Sequence, residues 1–435
     1  MKRTLKLKLN TLCLTFATGL GLAFYQSDAN GQSILERQNE AFQSPYSSAE
    51  LPAPTGFQEG IDVLTQAPLH EAFAELPQES PLPNPFVSKQ PPAPIEELPA
   101  EYRPEGANVQ WIPGYWNLDE ERNDFIWISG IWRDVPPGQR WVPGYWEETP
   151  QGYRWINGFW IAETTQDVTY LPEPPAPLEV GPSYAPPSDD YIYSPGCWVY
   201  TSNRYVWQPG YYQPQIANYV WVQPTYIFTP CGYVYRPGYW DLAFENRGVV
   251  FAPVYFSQPI YHSPTYCYTP TCVINTSYDL LPYLFVRNNC RNYYFGDWYG
   301  DVYARRGYCN WSQISVNINF RRCHDPLFTY YNHSHASYQN QGLMNWVSSQ
   351  YQHCAANSNY RPSRTFQVNL NLNSHSHGKG QGGPQIANLY NDHIRKELQN
   401  SKSIKHFEQL NSSKRVEFQK QAKNLNVVSV DRRKH

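Results

Sequence analysis

The chain has 435 residues, 34 Lys+Arg against 37 Asp+Glu, and a formal net charge of -3. That near-balance gives no basic field for nucleic acid, so no nucleic-acid partner is expected. With 39 Pro, only 2 Met, 16% charged residues and 16% aromatics, long amphipathic helices are disfavoured and turn-rich β structure is favoured.

Lys2, Arg3, Lys6 and Lys8 precede an uncharged apolar run, Thr11 to Phe24. The run is too short to span a bilayer, so residues 1–29 read as a cleaved signal peptide with its site near Ala29. Cys13 lacks small residues before it, which argues against a lipoprotein. No later stretch is long and apolar enough for a second span, so the mature chain is expected without a transmembrane segment. Export points to the periplasm, cell surface or extracellular space.

Residues 30–105 read as an acidic, proline-rich linker. From Gly31 to Ala100 there are ten acidic residues and two basic ones, Arg37 and Lys89. Few aliphatic side chains stand there to offset an ordering entropy of roughly 1–2 kcal/mol per residue, and extended disorder is expected.

Then a hexapeptide recurs. The first block, 106–165, holds Trp111-Ile-Pro-Gly114-Tyr-Trp116, Trp127-Ile-Ser-Gly130-Ile-Trp132, Trp141-Val-Pro-Gly144-Tyr-Trp146 and Trp155-Ile-Asn-Gly158-Phe-Trp160. A proline-rich linker, 166–190, interrupts it. The second block, 191–258, holds Tyr193-Ser-Pro-Gly-Cys-Trp198, Trp207-Gln-Pro-Gly210-Tyr-Tyr212, Trp221-Val-Gln-Pro224-Thr-Tyr226 and Tyr235-Arg-Pro-Gly238-Tyr-Trp240. Phe251-Ala-Pro-Val-Tyr-Phe256 is a degenerate ninth copy. Successive copies within a block start 14 or 16 residues apart.

Such a step fits one strand and one tight turn, so two steps make a hairpin. The motif is expected to be the strand and the interval the turn, with a kink at the mid-motif Pro. First and last aromatics stand five apart and should face opposite sides. The motif Gly, lacking a Cβ, should let a neighbouring ring lie over the backbone.

Together these give a mainly β fold. It is an antiparallel meander of aromatic repeat strands in two blocks, with a disulfide-rich cap, a C-terminal helix and disordered linkers.

The block resembles the YXWGXW (WXXGXW) aromatic repeat family. The resemblance implies an exported or envelope-associated protein and supplies no catalytic residue. The departures are Tyr193 and Tyr235 for the first Trp, Tyr212 and Tyr226 for the last, and Pro224 for the Gly.

Residues 259–358 are rich in Cys and aromatics. Cys197, Cys231, Cys267, Cys272, Cys290, Cys309, Cys323 and Cys354 form an even set in an exported chain and read as disulfide partners. No Cys-x-x-Cys pair supports zinc. A flexible linker, 359–385, leads to a basic helical tail, 386–435, with eleven Lys/Arg against five Asp/Glu and an apolar stripe of Ile394, Leu398, Ile404, Phe407 and Leu410.

His333, His335, His375 and His377 occur as His-Ser-His pairs that can chelate a metal, against a plainer reading as polar loop residues. Asp297 and Asp301, with Tyr294, can be drawn as an acid/base or sugar-contacting pair, against a plainer reading as a turn. No cofactor motif is present. Expected partners are an envelope polymer or other envelope proteins. The functional expectation is a non-catalytic structural or interaction protein of the bacterial envelope; the alternative is a secreted polysaccharide-binding module using exposed Trp and Tyr.

Overall fold

The computed structural model describes residues 4–6, 59–77, 82–178, 181–276, 278–288, 290–314, 317, 324–335, 342–362 and 407–433. The apolar run 11–24, Cys13, Cys323, His375 and His377 lie outside them, as do Ile394, Leu398 and Ile404.

The chain is mainly β, and its repeat unit is a bent hairpin made from two motifs. In the first, Val109–Ile112 pairs with Ile131–Asp134 while Tyr115–Asp119 pairs with Asp124–Ile128. The second joins Gln139–Val142 to Phe159–Ala162 and Tyr145–Thr149 to Gly152–Ile156. The third joins Tyr191–Ser194 to Tyr211–Pro214 and Cys197–Thr201 to Arg204–Gln208. The fourth joins Tyr219–Val222 to Tyr239–Leu242 and Thr225–Thr229 to Gly232–Arg236.

The motif is therefore not itself a strand. Its first two residues end one half-strand, its two central residues (Pro-Gly in most copies) are a gap in the ladder, and its last two begin the next half-strand. Proline lacks the N–H a continuous ladder needs, so the expected kink becomes a full break. The single pleated meander is replaced by separate antiparallel hairpins for the same reason.

Register puts aromatics opposite aromatics. Trp111 faces Trp132, Trp116 faces Trp127, Trp141 faces Trp160 and Trp146 faces Trp155. The second block repeats this with Tyr193 and Tyr212, Trp198 and Trp207, Trp221 and Trp240, and Tyr226 and Tyr235. Ring centroids in all eight pairs lie 5.1–5.6 Å apart at 52–77°. That is edge-on or tilted packing, worth about 0.5–1.5 kcal/mol per pair beyond burial. The two pairs of the first hairpin enter different clusters, Trp111 and Trp132 with Phe251, Trp116 and Trp127 with Phe256. The five-residue spacing does divide the rings between two sides.

The ninth copy does not start a hairpin. Gly248–Phe251 and Val254–Phe256 lie antiparallel to the second-motif strand, Gly248 opposite Arg133 and Val254 opposite Trp127. This third bent strand broadens the first hairpin.

Residues 59–77 and 82–105 correct the expectation of a disordered acidic linker over 30–105. Leu64, Ala67, Leu69, Ala72, Phe73 and Leu76 enter the main core. Arg133 Nε donates to Ala72 O at 3.0 Å and Arg247 Nη1 to Phe73 O at 2.9 Å. Arg133 and Arg247 share Asp241, at 2.5 and 3.1 Å, and Glu75 joins Arg236 and Arg291. A short apolar run carrying one well-placed carboxylate is enough to order a segment whose average composition is poor in aliphatics.

The region 259–358 packs Leu284–Arg287 between Tyr293–Phe295 and Tyr308–Asn310, with helices Pro326–Ser334 and Leu343–Ala356 nearby in the chain. No disulfide joins the described cysteines Cys197, Cys231, Cys267, Cys272, Cys290, Cys309 and Cys354, which corrects the disulfide-rich cap. Leu280, Leu284, Val286, Phe295, Trp311 and Val347, each at most 1% exposed, hold this region by packing instead. Cys309 Sγ donates to Asn310 O and Cys354 Sγ to Tyr360 O.

The C-terminal helix spans Ser412–Arg433, and residues 386–406 of the basic tail lie outside the described residues. Phe407, expected on the helix stripe, lies in the strand Phe407–Gln409 against Tyr102–Pro104. Phe418 packs on Trp132 at 5.1 Å, and Lys423 reaches Glu96 at 2.7 Å. Among the described residues no helix is long and apolar enough to cross a membrane.

Candidate functional site

The chemistry of this chain gathers at the motif breaks. Each first Trp of a motif lies over the Gly of the motif it pairs with. A Cβ built on Gly130 would sit 2.5 Å from Trp111 Cζ2, and one on Gly114 would sit 2.8 Å from Trp127 Cε2. Gly158 meets Trp141 at 2.4 Å and Gly144 meets Trp155 at 2.5 Å. In the second block Gly196 meets Trp207 at 2.5 Å and Gly238 meets Trp221 at 2.4 Å. A real Cβ could not occupy those positions without displacing a packed indole. Gly210 lies in the corresponding break of the third hairpin, between Arg204–Gln208 and Tyr211–Pro214. The exception Pro224 now has a reason: its partner motif opens with Tyr235, which lacks the second ring of an indole.

Among the described residues, two breaks also hold a carboxylate. Glu97 Oε1 accepts from Trp127 Nε1 at 2.6 Å and Gly130 N at 3.0 Å, while its Oε2 accepts from Gly114 N at 2.8 Å. Glu71 Oε1 accepts from Gly158 N at 3.0 Å, and its Oε2 accepts from Trp155 Nε1 and Asn157 Nδ2, each at 3.2 Å. Both side chains are buried, and burial raises both carboxyls, Glu97 up to about 7. The N–H donors pull the other way, favouring the anion. Nearby, His70 Nε2 donates to Pro113 O at 3.1 Å and Nδ1 accepts from Ala72 N at 3.1 Å; burial lowers its pKa to about 4.

The sequence reading missed both carboxylates. A signal was present: Ala67-Pro-Leu-His-Glu71 and Ala93-Pro-Ile-Glu-Glu97 share one spacing. The proline-rich straps carrying such sequences also meet the indoles. Trp116 Nε1 donates to Ala93 O at 2.8 Å in the first hairpin, and Trp198 Nε1 to Ala176 O at 2.9 Å in the third. In the third hairpin Tyr205 OH donates to Pro172 O at 2.5 Å and Tyr212 OH to Tyr184 O at 3.0 Å.

Exposure differs sharply between hairpins. Trp111, Trp116, Trp127, Trp132, Trp141 and Trp160 are buried; Trp146, Trp155, Trp221 and Trp240 are half-buried. The third hairpin is the open one, with Tyr193, Trp198, Trp207 and Tyr212 all half-buried and Val206 and Tyr211 exposed.

The other candidate residues do not converge. His335 Nε2 shares a hydrogen bond with Tyr278 OH at 2.9 Å among the rings of Tyr330 and Tyr331, and burial lowers its pKa to about 4. His333 lies in the last turn of Pro326–Ser334. Among the described residues no group of three or more His, Cys, Asp or Glu could hold a metal. Asp297 is buried while Asp301 is exposed at the start of the short helix Asp301–Arg305, and Gly296 and Gly300 take φ of 111° and 101°. That is the geometry of a turn. Tyr294 packs on Trp298 and Tyr308.

No curated protein and no solved structure matches the chain. The profile of the WXXGXW repeat family matches residues 108–133, 122–147, 137–160, 189–211, 205–223 and 231–243. The matched spans fall on the bent hairpins and their breaks, so the segments 108–160, 189–223 and 231–243 carry WXXGXW repeats.

Proposed function

We propose that this protein is an exported, non-catalytic structural or interaction protein of the bacterial cell envelope, in which paired repeats form a stiff scaffold. The observation that supports this reading is the use of the motif rings on one another. Six Trp of the first two hairpins are buried in edge-on or tilted pairs, and the carboxylates beside them are spent on backbone and indole N–H groups. A motif consumed this way serves shape before it serves a ligand.

Compartment enters through the basic residues and apolar run at the start of the sequence. Fractionation of cells expressing the full chain, with N-terminal sequencing of the product, tests it: cleavage near Ala29 and recovery outside the cytoplasm are expected. An uncleaved, cytoplasmic product would remove the envelope assignment.

The polysaccharide-binding alternative draws on the half-buried Trp198, Tyr205 and Trp207 of the third hairpin. A glycan array read by Trp fluorescence separates the two. The scaffold reading expects silence, because Trp198 and Trp207 stand at 72° and offer no flat platform. Saturable quenching by one polysaccharide, lost in Trp207→Ala, would favour the binding module.

A further inference from the structure

The fold contains its own example of how a bent motif strand takes up another. In the first hairpin the second-motif strand, 124–134, carries the ninth copy along its outer edge, with Ser129 Oγ donating to Ala252 O at 2.7 Å across the break. On this strand Ile126 and Ile131, 1% and 0% exposed, lie in the main core together with Val250 and Ala252 of the ninth copy. The equivalent strand of the third hairpin is 204–214, with Trp207 at the place of Trp127 and Gly210 at that of Gly130. Among the described residues its ladder partners are on one side only, Tyr191–Ser194 and Cys197–Thr201. Val206 and Tyr211, at the places of Ile126 and Ile131, are 42% and 39% exposed.

We propose that this outer edge pairs with the same edge of a second copy of the chain, antiparallel across a two-fold axis. Charge supports that occupant. Exposed Arg204 begins the strand, and exposed Asp189 and Asp190 lie at its far end, where Gln215 N donates to Asp190 O at 2.8 Å. Antiparallel self-pairing brings the Arg204 end of each copy beside the Asp189–Asp190 end of the other. Pro209 falls in the break, where no ladder bond forms, and Pro214 ends the strand, so neither interrupts the paired halves. An isologous contact of this kind closes on itself and yields a dimer, not a fibre.

The contact deepens the scaffold reading by naming its partner, and its test is separate from export and glycan binding. Purified full chain is measured by sedimentation equilibrium over a range of concentrations, and a reversible dimer is expected. Val206→Lys with Tyr211→Lys, and Val206→Glu with Tyr211→Glu, should each be monomeric with unchanged near-UV dichroism. Mixing the Lys and Glu variants should restore the dimer. Arg204→Glu alone should weaken association at least tenfold, and Asp190→Arg added to it should recover the loss, which serves if the apolar pair is needed for folding. A monomeric wild type, charged variants that dimerise unchanged, or mixing and charge reversal that both fail to restore would overturn the proposal.

Discussion

Replacing Gly158 by Ala tests the central packing argument. The new methyl would lie 2.4 Å from Trp141 Cζ2, and 2.8 Å from both Glu71 Oε1 and Gly144 N. Trp141 is 3% exposed and pressed against Trp160 at 5.1 Å, so the indole has no free space to enter. Overpacking costs about 1–3 kcal/mol. Moving Glu71 loosens the Gly158 N–H bond and costs about another 1–3 kcal/mol for a buried group left under-satisfied. A loss of roughly 2–6 kcal/mol is expected by urea denaturation, outside the range of ordinary surface changes. Gly138→Ala is the control: its φ is +67° but nothing lies within 4 Å, so about 1 kcal/mol is expected. The decisive arm is Trp141→Tyr, which removes the ring carrying Cζ2. Gly158→Ala should cost at least about 1 kcal/mol less in that background, a coupling of the size direct contacts show. Equal costs in both backgrounds would refute the ring-over-glycine account.

Four further outcomes are expected. A carboxyl raised in the fold favours folding below its unfolded pKa and loses that contribution as pH rises through the folded value, so Glu97 should cost stability between about pH 4.5 and 7, up to roughly 3 kcal/mol. The stability of Glu97→Gln relative to wild type should therefore improve across that window; a constant difference would exclude the effect. His70, lowered to about 4, runs oppositely: its contribution is lost as pH falls from about 6.5 to 4, and His70→Gln should flatten that acid limb. Asp241→Asn leaves the buried Arg133 and Arg247 without their anion and should cost about 3–5 kcal/mol in chemical denaturation. A reductant should leave the thermal midpoint of the purified chain unchanged, since no disulfide joins the described cysteines; a fall of several degrees would contradict that packing.

Much of the fold was legible because a strict hexapeptide spacing carries geometry. The pairing of motifs into hairpins, the Trp ring over a facing Gly and the division of rings between two sides follow from period, parity and the missing Cβ. The break itself was underestimated. One Pro in a strand suggests a kink, whereas facing motifs place two defects opposite each other and the ladder parts. The straps were illegible by composition, which averages Leu69, Glu71 and Phe73 into a proline-rich, acidic background. Their information is positional: a carboxylate set to meet N–H groups in a break that exists only once the hairpin has folded. The cysteines misled because an even count argues for disulfides only through an expected compartment, while Cys309 and Cys354 answer to packing.

The ring-and-glycine exchange has a consequence for how such chains can change length. Each copy of the first block supplies a knob for its neighbour and a socket for its neighbour's knob, so a solitary copy of that kind arrives with both unmatched. Growth or loss by whole couples keeps every socket filled. A lone extra copy needs a host, and Phe251 to Phe256 survives by leaning on a couple already complete.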